Sequence, residues 1–299
     1  MQHSTPELVP EHITPPSTMA LLRRNPAALA AAMLLFVLVL AALFVAPILV
    51  DAASSTDLRG RNAPPFDFGR NWLFVLGADA LGRPILPRII VAAQNTLLIA
   101  GCSVVFALGV GSGLGLIAGY VGGTISQILM RVADIIMSFP SLLLAVIVLY
   151  MLEPSIFNLV IVLTITRIPV YLRTTRAEVM EIRKRMFVQA SAVMGASHLR
   201  IILTHILPIV LPTLMTIATL EFAFVVLAES SLSFLGIGIQ PPDITWGMMV
   251  AQGKPYLTQA WWLSFWPGLA IILTTLSLAL LSNWMRLAFD PAQRWRLEL

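Results

Sequence analysis

Cysteine is nearly absent from this chain. Its single Cys102 lies in an apolar stretch without a partner, which excludes a disulfide framework and a thiolate metal site. Charge is scarce as well: 11% of the 299 residues are Asp, Glu, Lys or Arg, where a soluble domain carries roughly a quarter. There are two lysines, Lys184 and Lys254, and neither follows a glycine-rich loop. No HExxH, GxSxG or GxxxxGK[ST] pattern occurs, so the chain cannot hold ATP by a phosphate loop of its own. The histidines fall at His3 and His12 near the N-terminus and at His198 and His205, with no nucleophile–base pair among them. A net charge of +4 is too small to argue for nucleic acid as a partner.

Hydrophobic residues make up 58% of the chain, which places it in the membrane. In lipid each spanning segment must satisfy its own backbone hydrogen bonds, so uncharged runs near 20 residues are helices. Residues 1–22 are polar, with four prolines, and are expected to be a mobile tail. Arg23 and Arg24 precede an uncharged run over 27–50, longer than the roughly 7–15 residues of a signal-peptide core. A polar connection over 51–88 follows. Further spans are expected over 96–118, 132–152 (with Pro140 inside), 155–172, 208–234 and 263–286. The expectation is an all-α polytopic protein with six transmembrane helices: a first helix in 23–50, a loop over 51–88, a five-helix core over 89–291, and a tail over 292–299.

Orientation follows from the basic residues. Thirteen lie in the termini and in the loops on their side of the membrane, chiefly Arg173 to Arg200; six lie on the other side. Both termini and the connection over 173–208 are therefore expected in the cytoplasm.

Acids inside spans are functional candidates by default. The apolar residues of the fifth span supply about −3 to −6 kcal/mol of insertion energy, against about +3 kcal/mol for one central acid. Glu221 lies mid-span and Glu229 nearer the outer end, so Glu221 is the costlier residue. Two readings fit it: a group lining a translocation pathway, or a buried bond between helices. Asp134 beside Arg131 suggests an interfacial ion pair. Gly111, Gly115 and Gly119 recur every four residues, which suits close helix packing better than the loose dinucleotide fingerprint that "GLGLIA" formally fits.

The cytoplasmic connection is unusual. Val179, Ile182, Met186, Ala190 and Val193 recur at helical spacing, and Glu181 and Arg185 form an i,i+4 pair. Gly195 suits a left-handed helix end and Ser197 a cap on the next helix. Two short helices joined at a small-residue corner are expected. An ordinary interfacial amphipathic helix is the competing reading.

The stretch "QASAVMGASHLRIILTHILP" resembles the EAA loop of binding-protein-dependent ATP-binding-cassette importers, with Gln189, Ala190, Ser191, Gly195, Leu207 and Pro208 on its pattern. Gln189 replaces the usual acid and Ser191 the second alanine. "LGADALGRPILPR" resembles the outer-loop signature of peptide-type permeases, with Asp79, Gly82 and Arg83 in place, while Pro84 and Pro87 stand where an acid and a serine are usual. "RVADIIMSFPSLLLA", "LAESSLSFLGIGIQPPDITWG" and "FWPGLAIILTTLSLALL" are similar to the C-type permease subunit of dipeptide, oligopeptide and nickel importers. Glu229 matches a position that subfamily usually keeps acidic, whereas Glu221 stands where a small residue is usual.

The resemblance implies a type I importer permease fold in a bacterial inner membrane, moving peptides or, alternatively, nickel chelates or glutathione-like solutes. It implies a second permease subunit, two cytoplasmic ATPase subunits and an extracytoplasmic solute-binding protein, with ATP and Mg held on the ATPases and no cofactor or metal on this chain. The corner, including Ala196 and Ser197, would transmit ATPase closure to the spans. A stand-alone secondary transporter would need inverted repeats, and no clear internal repeat is present.

Overall fold

The computed structural model describes residues 18–67, 69 and 71–289. The tail expected over 292–299 lies outside the described residues, as does the N-terminal tail up to residue 17. Residues 18–22 are not a loose end. They open α1 (Thr18–Arg24), whose Leu21 is buried against Trp284 and Ala288 near the end of the chain.

Regular structure among the described residues is helical, apart from an isolated antiparallel bridge between Ala78 and Pro84. After α1 come α2 (Pro26–Ser54), α3 (Ile85–Val121), α4 (Gly123–Ser138), α5 (Ser141–Met151) and α6 (Ile156–Ile182). They are followed by α7 (Met186–Val193), α8 (His198–Phe234), α9 (Trp246–Gly253) and α10 (Trp262–Phe289). Five of these, α2, α3, α6, α8 and α10, are long and apolar enough to cross a membrane. The pair α4–α5 passes the same test only when taken together, and counted as one broken span it brings the candidate spans among the described residues to six.

That third span is bent by 86°, a feature the expected straight helix over 132–152 lacks. Phe139 is extended at φ −96°, ψ 140°, because the ring of Pro140 disfavours helical backbone at the residue before it. Other prolines are absorbed without a break. Asn25 caps α2 by accepting from the Ala28 amide at 3.0 Å, and Pro26 takes the first-turn position where its missing N–H costs nothing. Pro47 and Pro208 each follow a π-turn, over Ala41–Val45 and Ile202–Ile206, in which the widened register removes the ring's clash with the carbonyl four residues back.

The closest helix packing joins α3 to α6. A β-carbon on Gly111, Gly115 or Gly119 would meet the carbonyl oxygens of Ile168, Leu172 and Arg176 at 2.7, 2.8 and 2.9 Å. The four-residue glycine repeat therefore brings two backbones together, which is the packing role its spacing suggested. The larger apolar core lies at one end of the bundle, where α3, α6, α8 and α9 enclose Ile99, Leu163, Val225 and Trp246. A second cluster at the other end joins Tyr171, Val179 and Ile182 of α6 to Val188, Ile201 and Ile206 of the corner.

In the connection over 173–208, the apolar residues at helical spacing do not share one helix. α6 runs on to Ile182, ten residues past the end anticipated for the fourth span, and turns at Arg183–Arg185. Val179 and Ile182 are thus buried on α6, while Met186 and Val193 on α7 are 86% and 88% exposed. The five residues from Val179 to Val193 thus fall on two helices and cannot form one face. The second short helix does exist, but it continues through the π-turn into the fifth span, so Leu207–Pro208 lie inside one helix that starts at His198.

Candidate functional site: the corner, the buried charges and the outer loop

The corner is built by a helix end that glycine permits. Gly195 has φ +85°; its amide donates to Ala192 O at 3.0 Å and the Ala196 amide to Ser191 O at 3.1 Å. These two bonds satisfy the last carbonyls of α7 in the Schellman arrangement. Ser197 then starts α8, its Oγ accepting from the Arg200 amide at 3.4 Å. Ser191 Oγ lies 3.2 Å from His205 Nε2, and Tyr120 Oη lies 2.9 Å from His198 Nδ1, so both histidines tie the corner to neighbouring helices.

Of the expected coupling residues, Gln189, Ala190, Gly195, Ser197 and Pro208 are exposed, Ala196 and Leu207 half-buried, and Ser191 buried. Gln189, which stands where an acid is usual, donates from Nε2 to Lys184 O at 3.2 Å. A carboxylate has no proton to give there, so the amide closes the turn between α6 and α7 in a way the acid could not. The depression behind the corner has a volume of about 430 Å³ and is edged by Met194, Gly195, Ala196 and Arg200.

Glu221 and Glu229 occupy different surroundings. Glu221 Oε2 lies 3.4 Å from Arg167 Nη1 on α6, and both side chains are largely enclosed. Arg167 Nε has no hydrogen-bond partner among the described residues, and neither has Tyr171 Oη one turn further along α6. Arg167 also lines a cavity of about 240 Å³ against Phe139 and Ser141 at the break of the third span. Arg167 is a lone arginine within an otherwise uncharged stretch, the sequence signal that marks it.

Glu229 is fully buried. It accepts from Ser233 Oγ at 2.8 Å and from Ser230 Oγ at 3.3 Å, and Ser233 Oγ also meets Thr245 Oγ1 at 3.5 Å. Thr245 caps α9, while Trp246 donates from its amide to Thr96 Oγ1 and from Nε1 to Ile89 O. The acid thus anchors the segment after α8 to the N-terminal half of α3. Asp134 pairs with Arg173 of α6 rather than with Arg131 as expected, which ties the broken span to α6. The expected Glu181–Arg185 pair is present at 3.2 Å.

In the outer loop, Asp79 accepts from the amides of Leu81 and Arg83 at 2.8 and 2.9 Å and from Arg83 Nε at 2.7 Å. Arg88 Nε lies 3.7 Å away, and Arg88 Nη2 donates to Gln252 Oε1 at 3.0 Å. Gly82 has φ +74°, and a β-carbon there would fall 1.7 Å from Asp57 O. Pro84 and Pro87 sit at the cap and in the first turn of α3, where no intrahelical amide is required. Asp79, Leu81, Arg83, Arg88 and Gln252 edge a cavity of about 380 Å³ that also includes Tyr256.

Five long apolar helices, a bent helix pair and a corner turned at Gly195 describe a polytopic membrane protein. Residues 111–295 match the family of binding-protein-dependent transport system inner membrane components. The chain belongs to this family. It is 39% identical over 269 residues, covering 89% of this chain and 88% of the relative, to the di/tripeptide transport system permease protein DppC of Pseudomonas aeruginosa (strain UCBPP-PA14). It is 35% identical to the probable D,D-dipeptide transport system permease protein DdpC of Escherichia coli (strain K12), over 91% of this chain and 89% of that one. The glutathione transport system permease protein GsiD of Escherichia coli O6:K15:H31 (strain 536 / UPEC) is 32% identical over 90% and 88%. A chain in the inward-facing structure of the MetNI methionine ABC transporter superposes with a TM-score of 0.55 at 20% identity, covering 71% of this chain and 97% of that chain. That likeness shows the importer permease fold. As a member of the family, this permease chain is a multi-pass transport component.

Proposed function

We propose that this chain is the permease subunit of an ATP-binding-cassette importer that carries small peptides across a bacterial inner membrane. The reading is carried by one observation: relatives named for di/tripeptides and D,D-dipeptides align over about nine-tenths of both chains. A glutathione permease at 32% identity keeps a glutathione-like γ-peptide as the second reading. In this proposal a second permease subunit completes the pathway, a solute-binding protein delivers the peptide from outside, and two ATPase subunits bind ATP and Mg in the cytoplasm. No residue of this chain does covalent chemistry; its work is to convert ATPase closure into movement of the spans.

The corner around Gly195 is the coupling surface. Its exposed side chains, Met186, Val193 and Met194, offer apolar knobs, and the small residues Ala190, Ala196 and Ser197 keep the surroundings low. Force delivered there reaches α6 and α8 directly, because Val188, Ile201 and Ile206 are packed against Val179 and Ile182. Glu221 with Arg167 supplies the polar group along the pathway, while Glu229 stabilises the outer wall. Asp79, Gly82 and Arg83 shape the mouth that meets the binding protein.

Replacement of Gly195 tests the coupling role. A β-carbon there meets nothing within 4 Å, so Gly195→Ala and Gly195→Trp share a backbone strain of about 1–2 kcal/mol and differ only in bulk towards a partner. The expected outcome is peptide uptake retained in part with alanine and abolished with tryptophan, with both variants inserted in the membrane and only tryptophan failing to co-purify ATPase subunits. Uptake by the tryptophan variant equal to wild type would remove the corner from the mechanism.

A further inference from the structure

Where α3 turns into α4, on the side of the corner, the structure holds a cavity of about 350 Å³ that the transport mechanism does not use. Three cations line it, Arg176 near the end of α6 and Arg183 and Lys184 in the turn that follows, and no acid among the described residues does. Of the nearby acids in sequence, Glu178 does not line the cavity and Glu181 accepts from Arg185. Three cations converging without a counter-charge repel one another. A solvated arginine fringe would let them splay apart into water.

Two of these side chains are instead held. Arg176 Nε donates to Ser126 Oγ of α4 at 2.7 Å, and Arg183 Nη1 donates to the carbonyl of Tyr120 while its guanidinium lies over the Tyr120 ring. A guanidinium carries five N–H donors in a planar fork, so these bonds fix the two planes without exhausting their donors. The opposite wall is Gly122 and Gly123, at φ +72° and +59°. Their missing side chains leave the cavity open: a β-carbon on Gly123 would meet nothing within 4 Å. The surroundings are apolar and outward-facing, with Val121, Ile125, Ile128 and Met180 all exposed. A held cationic cup beside an aliphatic surface at the end of a spanning bundle has two chemical preferences, an oxyanion inside and acyl chains alongside.

We propose that this cavity binds the phosphodiester headgroup of an anionic phospholipid, its phosphate oxygens on Arg176, Arg183 and Lys184 and its acyl chains along α4. Basic pockets between spanning helices on the cytoplasmic side recognise such headgroups, each cation near the surface adding about five-fold to the binding constant. Lys184 and Arg183 lead within a few residues into α7, so an occupied site would brace the junction between α6 and the corner.

The test uses the purified full chain in phosphatidylcholine nanodiscs doped with phosphatidylglycerol, with retained lipid read by native mass spectrometry. The wild type is expected to keep phosphatidylglycerol in preference to phosphatidylcholine. Lys184→Gln should lower that retention roughly five-fold and Arg183→Gln/Lys184→Gln roughly twenty-five-fold. Arg286→Gln removes a cation from the end of α10, away from the cavity, and should leave retention unchanged. Lys184→Gln leaves the bonds to Ser126 and Tyr120 in place, so it remains informative if the double variant misfolds. Equal retention in wild type and Lys184→Gln, or an equal fall in Arg286→Gln, would overturn the site. Displacement of the lipid by millimolar inorganic phosphate would overturn the lipid as ligand and make this a soluble-anion site.

Discussion

At the scale of single residues, the informative positions are those where an unfavourable side chain is kept. Glu221 and Arg167 face each other inside the bundle at 3.4 Å, with 8% and 15% of their side chains exposed. A buried ion pair contributes little net stability, because desolvation offsets the attraction, but removing one partner strands the other. Glu221→Gln is therefore expected to destabilise the chain by about 3 kcal/mol. Arg167→Gln/Glu221→Gln should recover most of that loss, as read from unfolding midpoints in detergent. Additive losses in the double variant would show that the two charges are not coupled. A transport defect that persists in the restabilised double variant would mark the pair as part of the pathway rather than as internal packing. Glu229 is a different kind of residue: its hydroxyl donors come from its own helix, and its reach is to the segment that follows.

At the scale of elements, the α3–α6 contact separates glycines that look alike in sequence. Gly115 and Gly113 lie two residues apart in the same stretch. A β-carbon on Gly115 would lie 2.6 Å from Thr175 Cβ and 2.8 Å from Leu172 O, whereas one on Gly113 meets nothing within 4 Å. Gly115→Ala should cost about 1–3 kcal/mol through forced separation of the helices. Gly113→Ala should be neutral or gain up to about 1 kcal/mol from helix propensity. Thermal unfolding of the two purified variants checks both; equal effects would contradict the close approach. The four-residue repeat was legible in the sequence because one helix turn sets it. Its partner was not, since nothing in residues 111–119 names Ile168, Leu172 and Arg176. The expected apolar face on Val179–Val193 failed for a related reason. Periodicity records spacing along the chain and does not register a turn at Arg183–Arg185 that keeps the spacing while changing the helix.

At the scale of the whole molecule, the arginine distribution orients the chain and makes a direct prediction. With Cys102→Ser as background, Ser55→Cys in the outer loop should react with a membrane-impermeant maleimide in intact cells. Ser197→Cys at the corner should react only after the membrane is opened. The reverse pattern would turn the chain over and remove the coupling role from the corner. Both positions are exposed in the structure, so failure to label would report sidedness and not burial. The expected labelling pattern would also put the cationic cavity of α3, α4 and α6 at the inner leaflet, as the proposed lipid site requires.

Sequence alone determined the all-α membrane class of this protein, the approximate places of its long apolar helices and the glycine turn of its corner. Lipid enforces these locally: a run of uncharged residues must satisfy its own backbone bonds, a proline breaks or widens the helix where it stands, and a glycine takes the left-handed turn its neighbours cannot. Tertiary structure decided which charges meet. Arg167 and Glu221 are 54 residues apart, Arg173 and Asp134 are 39 apart, and Arg88 and Gln252 are 164 apart. It also decided that the third span is bent at Phe139–Pro140 and that three cations from the end of α6 and the turn that follows it converge on the glycine turn after α3. Those outcomes depend on the angles and depths at which helices pack, which are set by all the contacts of the bundle together and written in no single segment.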